Sequence, residues 1–249
     1  MLYITGDLHG GDTAYHVKSS CFHPSKRGDI VLCCGDFGGV WYHDYHINDK
    51  HRRNEDGFLD MTLRKRVTWL AVDGNHENFA RLFGGEFPIV EVYGGKAYKI
   101  RDNIYYLKRG EIFNIEGSIF LAFGGANSHD RLGVRQKSMS PYSSGYYISK
   151  PRVEGKDWWP QEIPSQDDFD NACRNLDRVN WTVDHVITHT CPFAERHYFL
   201  SNDRIPDPTE KILQNLYDRL TFKTWHFGHF HINKTVGRFH CHYDKVVRF

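Results

Sequence analysis

The chain opens on a short apolar run, Leu2-Tyr3-Ile4-Thr5, and two more follow at residues 29–34 and 67–72. Each run is too short for a stable helix, and each gives way to a polar turn that carries glycine. These are strand signals. Polar, helix-like stretches separate them, which predicts α/β organisation with the polar groups gathered at the carboxyl ends of strands. Residues 41–57 are charged and rich in histidine but have little periodicity, so a surface loop is expected there. Residues 58–66 are compatible with a helix.

The middle of the chain changes character. Ile89–Val92, 97–100, Ile104–Leu107, Glu111–Ile115 and Ser118–Phe123 are short β-type runs separated by Gly or Asn turns. They predict hairpins that build a second, more antiparallel sheet. From 127 to 165 the pattern is lost, and Gly, Pro, Ser and aromatics dominate, among them Tyr142, Tyr146, Tyr147, Trp158 and Trp159. A long irregular run of this kind is usually functional or mobile. Helices at 166–179 and 208–220, strands at 184–188 and Thr224–Phe227, and closing strands within 232–236 and 239–249 complete the reading. There is no internal repeat and no linker. The expectation is one domain over residues 1–249, with loop insertions near 41–66 and 127–165.

Composition narrows the setting. In 249 residues, 40% hydrophobic content with 15% aromatics excludes wholesale disorder. No run approaches the ~18 apolar residues of a membrane span, and the mean hydropathy of −0.60 agrees with a soluble globular protein. A net charge of +1, from 32 Lys+Arg and 31 Asp+Glu, argues against nucleic acid as an electrostatically captured partner. No basic and apolar leader precedes the first strand, so the cytoplasm is the expected location. The six cysteines are sparse and unpatterned and read as reduced thiols. Cys191, two residues after His189, is read as inert. The sixteen histidines stand out, at roughly three times average usage, and direct attention to metal.

Five clusters each follow a strand. Gly6-Asp7-Leu8-His9-Gly10 places an Asp and a His two apart in a tight turn, where both can face one cation. Gly35-Asp36-Phe37-Gly38-Gly39 alone reads as a turn. Gly74-Asn75-His76-Glu77 alone reads equally as a helix start, with Asn75 as N-cap and Glu77 in the first turn. His189 follows Val186-Ile187-Thr188. Gly228-His229-Phe230-His231 carries two imidazoles two apart, a spacing moderately specific for metal. Together they supply oxygen and nitrogen donors without thiolates, which favours a borderline or hard divalent ion. Mn²⁺ is expected first, with Fe, Zn, Ni or Co as alternatives. Seven donors are too many for one such ion, and two ions sharing a carboxylate fit better.

In this order the clusters resemble the calcineurin-like metallophosphoesterase superfamily. Three further strings, Gly124-Gly125-Ala126, Trp158-Trp159-Pro160-Gln161-Glu162 and the run from Val183 to Pro192, are similar to its small bacterial and phage members. The resemblance implies a four-layer α/β/β/α sandwich of two mixed sheets flanked by helices. It implies one ion held by Asp7, His9, Asp36 and His231, and a second by Asp36, Asn75, His189 and His229, with Asp36 between them. His76 is then the catalytic histidine beside the scissile group, and Asn75 and His76 contact the substrate.

The implied activity is hydrolysis of a phosphomonoester or phosphodiester by hydroxide bridging two metals. The partner is a small phosphorylated substrate or nucleotide, with no membrane and no obligate nucleic acid. A nucleotide phosphodiesterase using the aromatic stretch as a base platform, and a non-catalytic scaffold on the same fold, are the alternatives. Many protein-phosphatase relatives continue the second cluster as Gly-Asp-x-x-Asp-Arg-Gly. This chain has Gly38-Gly39-Val40 there, which argues against a protein Ser/Thr phosphatase. Arg52, Arg53, Arg131 or Arg135 can supply the missing phosphate contact from the loops, although surface charge is the ordinary reading of each.

Overall fold

The computed structural model describes residues 1–10, 27–64, 66–128, 131, 135–137, 146–148, 150–200 and 207–249. Strand β1 is Leu2–Thr5, β2 Ile30–Cys33 and β3 Thr68–Ala71. β4 is Ile89–Val92, β5 Gly95–Arg101 and β6 Ile104–Leu107. β7 is Glu111–Ile115, β8 Ser118–Phe123, β9 Arg135–Lys137 and β10 Tyr146–Ile148. β11 is His185–Thr188 and β12 Thr224–Phe227, with β13 Lys234–Val236, β14 Phe239–Cys241 and β15 Val247–Arg248 closing the chain. Among the described residues the α-helices are α1 Asp49–Arg64, α2 Phe79–Leu82, α3 Gln166–Asp177 and α4 Pro208–Tyr217.

Two mixed sheets result. The first runs β15-β1-β2-β3-β6-β5-β4 and the second β13-β14-β12-β11-β8-β7. Parallel pairing joins β1, β2, β3 and β6 in one, and β14, β12, β11 and β8 in the other. Such strands are covered on both faces and read as continuous apolar runs. All four residues of β2 are buried, whereas the edge strand β4 has none buried.

Three cores separate four layers. Ile4, Leu32 and Leu70 meet Phe113, Phe120 and Ile187 between the sheets. Phe58 and Leu59 of α1 pack on Val31 and Trp69 on one outer face. Ala172 and Leu176 of α3 and Leu213 and Leu216 of α4 pack with Leu121, Trp225 and Phe227 on the other. Both α3 and α4 begin on reciprocal capping boxes, Ser165 with Asp168 and Asp207 with Glu210.

The fold corrects four expectations. The 41–57 stretch is not all loop, because α1 begins at Asp49, where the Asn48 side-chain oxygen accepts from the Lys50 and His51 N–H groups. Its inward face includes a charged residue, Glu55, which periodicity counts as polar. Glu55 is buried because Trp41 N–H, Tyr42 N–H and Arg81 all donate to it. The antiparallel β4, β5 and β6 extend the first sheet, and only β7 and β8 begin the second. The short helix near the third cluster starts on Asn78, not Asn75. Within 127–165 lie a two-stranded ladder, β9 with β10, and a 3₁₀ turn at Pro160–Glu162. Tyr142 lies outside the described residues, as does Cys21, one of the six cysteines.

The second sheet also carries a group of histidines outside the five clusters. His185, His226, His240 and His242 cluster on it, with the His226 ring stacked on His240 at 4.8 Å and on His242 at 5.3 Å. Burial keeps these rings neutral, lowering His226 well below the usual imidazole value and His242 to about 4. A ring depressed in the fold stabilises it above the unfolded value near 6.5 and ceases to do so as pH falls toward 4. Glu162 and Glu210, pushed up by burial to about 7, work in the opposite sense. The comparison is therefore made against His242→Gln. Between pH 7 and 4, urea denaturation should show wild type losing about 3 kcal/mol relative to that variant. A difference that does not change with pH would contradict a buried neutral His242.

Candidate metal centre

The five clusters converge at one end of the seam between the sheets. Asp7 and His9 follow β1, Asp36 follows β2, and Asn75 and His76 follow β3. From the other sheet, His189 follows β11, and His229 and His231 follow β12. Main-chain bonds lace these turns together. Asp7 N–H donates to Gly35 O, His9 N–H to Asp36 O, and Gly228 N–H to His189 O. Asp7, His9, Asp36, His229 and His231 all have positive φ, between 47° and 66°. Asp and His are among the few non-glycine types that enter this region readily. In the turns after β1, β2 and β12 this reversal is what turns the side chains inward. At Gly74 the approach is so close that a Cβ would stand 2.0 Å from Asp36 Oδ1.

Asp7, His9, Asp36 and His231 each offer a donor atom, all within 4.8 Å of one another. This is the first of the two expected sets, and it is a fit for a divalent cation. Asp7 and Asp36 are 1% exposed, while His231 at 49% opens the site to solvent. The second expected set gathers beside it. His189 Nε2 lies 3.4 Å from Asp36 Oδ2 and 3.2 Å from Asn75 Oδ1, and the His189 and His229 rings are 5.0 Å apart. His189 Nδ1 is bound to Cys34 O at 2.7 Å, which leaves Nε2 to face the carboxylate.

The electrostatics follow from packing two carboxylates out of water. Burial pushes Asp7 up to about 8, with His189 opposing it. Burial acts on Asp36 in the same direction, but His189, His76 and His9 together hold it well below the usual range. Burial would make His189 neutral, yet Asp36 and Asp7 raise it to about 10. A bound cation therefore competes with protons at Asp7 and His189.

His76 occupies the rim. Its N–H donates to Asp36 Oδ1 at 2.8 Å, its ring lies 5.1 Å from that of His9, and Trp41 flanks it at 5.6 Å. The rim opens into a cavity of about 700 Å³ lined in part by His9, Trp41, Tyr42, His76, Arg152 and Tyr243.

Arg152 is the functional candidate that sequence reasoning missed. Its Nη1 lies 3.3 Å from His76 Nδ1, and since arginine only donates, that nitrogen accepts and the ring proton sits on Nε2. No spacing signal marks Arg152, which lies in the aperiodic 127–165 stretch. The arginines that were considered are placed elsewhere or are not described. Arg52 pairs with Asp49, and Arg131 lies over Trp158 at 5.3 Å. Arg53 is exposed, and the Arg135 side chain lies outside the described residues. Trp159, a base platform only in the nucleotide phosphodiesterase alternative, is 3% exposed and packs on Trp41 at 6.0 Å. Cys191 is buried, and burial raises its thiol well above the ordinary value, as expected of an inert group.

By sequence Glu77 is a first-turn acid. It is instead wholly buried and gathers Phe37 N–H at 3.1 Å, Gly38 N–H at 3.4 Å and the Tyr106 hydroxyl at 2.7 Å. It thus ties the cluster after β3 to the cluster after β2. Tyr106→Phe strips one donor from Glu77 and the acceptor of Gly39 N–H. The expected loss is about 1–3 kcal/mol in urea unfolding, and an unchanged midpoint would contradict this role.

Buried acids and imidazoles at strand ends between two helix-covered sheets make a site suited to a divalent cation. The model of the calcineurin-like phosphoesterases matches residues 2–233, and the chain belongs to that family. It is a phosphoester-hydrolysing enzyme. Among solved structures, the phosphopantetheinyl hydrolase PptH of Mycobacterium tuberculosis is similar at 16% identity and a TM-score of 0.45, over 98% of this chain and 89% of that one. No curated protein matches the chain. Among the described residues, no helix is long and apolar enough to cross a membrane.

Proposed function

We propose that the enzyme hydrolyses small phosphomonoesters or phosphodiesters with two divalent cations, Mn²⁺ foremost. Asp7, His9, Asp36 and His231 would hold one, and Asp36, Asn75, His189 and His229 the other. The observation that carries this reading is the four-donor cluster within 4.8 Å, with His189 and Asn75 directly beside it on Asp36. Metal bound there supplies Lewis acidity toward phosphoryl oxygen and a water of lowered pKa.

The chain's own residues do the rest. Arg152, at the cavity wall, offers donors to a phosphoryl oxygen and takes the place of the arginine missing from Gly38-Gly39-Val40. His76 carries its ring proton on Nε2 and can donate it to the leaving oxygen. Its backbone N–H keeps Asp36 oriented. Trp41 and Tyr42 line the cavity wall and suit a planar leaving group, so nucleotide esters belong in the substrate panel.

Turnover of an aryl phosphate, its diester and a nucleotide panel, measured with Mn²⁺ and with chelator, tests the reading. Metal-dependent hydrolysis of at least one is expected. His76→Ala should lower kcat by about 10²–10⁴ while bound manganese stays at the wild-type level. Chelator-insensitive turnover, or none on any substrate, would overturn the reading.

A further inference from the structure

The strings Gly124-Gly125-Ala126 and Trp158-Trp159-Pro160-Gln161-Glu162 supply none of the proposed ligands, yet the fold brings them against the third cluster. Glu162 is wholly buried, and both of its oxygens are used by one residue. Ser128 N–H donates to Oε1 at 2.8 Å, and the Ser128 hydroxyl donates to Oε2 at 2.7 Å. With Glu162 ionised, the hydroxyl proton is committed to the carboxylate, and Ser128 Oγ can only accept on its other side. It accepts from Asn75 Nδ2 at 3.1 Å. The Asn75 oxygen is thereby left facing His189 Nε2, the place where the second cation would be held.

Both ends of this chain of bonds are pinned. Buried Arg109 donates to Asp73, two residues before Asn75, and to Gln161 O at 2.9 Å, one residue before Glu162. Gly125 N–H donates to Asp73 O, and at φ +94° a Cβ on Gly125 would meet Glu162 O at 2.7 Å. The glycine string thus lets the Glu162 turn close onto the end of β3.

An asparagine amide offers oxygen on one side and NH₂ on the other, and only the hydrogen-bond network decides which faces a ligand. A cation accepts the oxygen and is repelled by the NH₂. We infer that Glu162 is a positioning residue that acts through Ser128 to turn the Asn75 oxygen toward the second cation position. This inference rests on the two-ion reading above.

Titration calorimetry with Mn²⁺ alone separates the two. Wild type should take up two ions. Glu162→Gln and, as a second variant should the first fail to fold, Ser128→Ala should weaken one of them by about tenfold or more and leave the other unchanged. The decisive readout is the cycle with Asn75→Asp. An aspartate presents oxygen on either side, so Glu162→Gln made in that background should cost little. A wild-type stoichiometry of one would overturn the two-ion reading and this inference with it. Two ions in wild type, with Glu162→Gln binding both equally well, would overturn the positioning role alone. So would a loss of the same size in the Asn75→Asp background, which is what a merely structural residue would produce.

Discussion

Two carboxylates, Asp7 and Asp36, are held out of water at the meeting of two sheets, and the site is organised around that cost. An unpaired buried carboxylate is worth several kcal/mol of destabilisation. The chain answers with His9, His189 and His231 around the pair and with backbone N–H groups from His76 and His229 aimed at its oxygens. The two acids diverge as a result, with Asp7 drawn toward the protonated form and Asp36 held charged. A divalent cation between Asp7 and Asp36 would relieve the same problem, because it would replace the proton on Asp7 with a charge both acids can share.

The sandwich delivers these groups because each sheet keeps a block of parallel strands. The turns after β1, β2 and β3 in one sheet, and after β11 and β12 in the other, emerge at the same end of the seam. The turns after β1, β2 and β12 are forced back at once by left-handed residues, and at Asp7, His9, Asp36, His229 and His231 the residue types that tolerate that conformation are also types that can ligate a metal. Local backbone geometry and donor chemistry are thus met by the same positions.

Much of this was legible in the chain. Short apolar runs ending in Gly-Asp, Gly-Asn-His and Gly-His-x-His located the strands and brought together all seven expected donors and His76. What stayed hidden has a physical cause in each case. Helix α1 turns a charged residue, Glu55, to the core, so its periodicity does not read as amphipathic. The sheet membership of β4, β5 and β6 depends on β6 pairing with β3, a contact no local signal encodes. Glu77 and Glu162 look like surface acids until the fold buries them under donors drawn from 128 in one case and from 37, 38 and 106 in the other. Arg152 reaches His76 across 76 residues of sequence, from a stretch without pattern.

Anomalous diffraction at the manganese edge from Mn²⁺-loaded crystals distinguishes a dinuclear centre from a mononuclear one. Two peaks about 3.5–4 Å apart are expected, with Asp36 between them, one bounded by Asp7, His9 and His231 and the other by Asn75, His189 and His229. A single peak, or peaks away from Asp36, would contradict the two-ion centre.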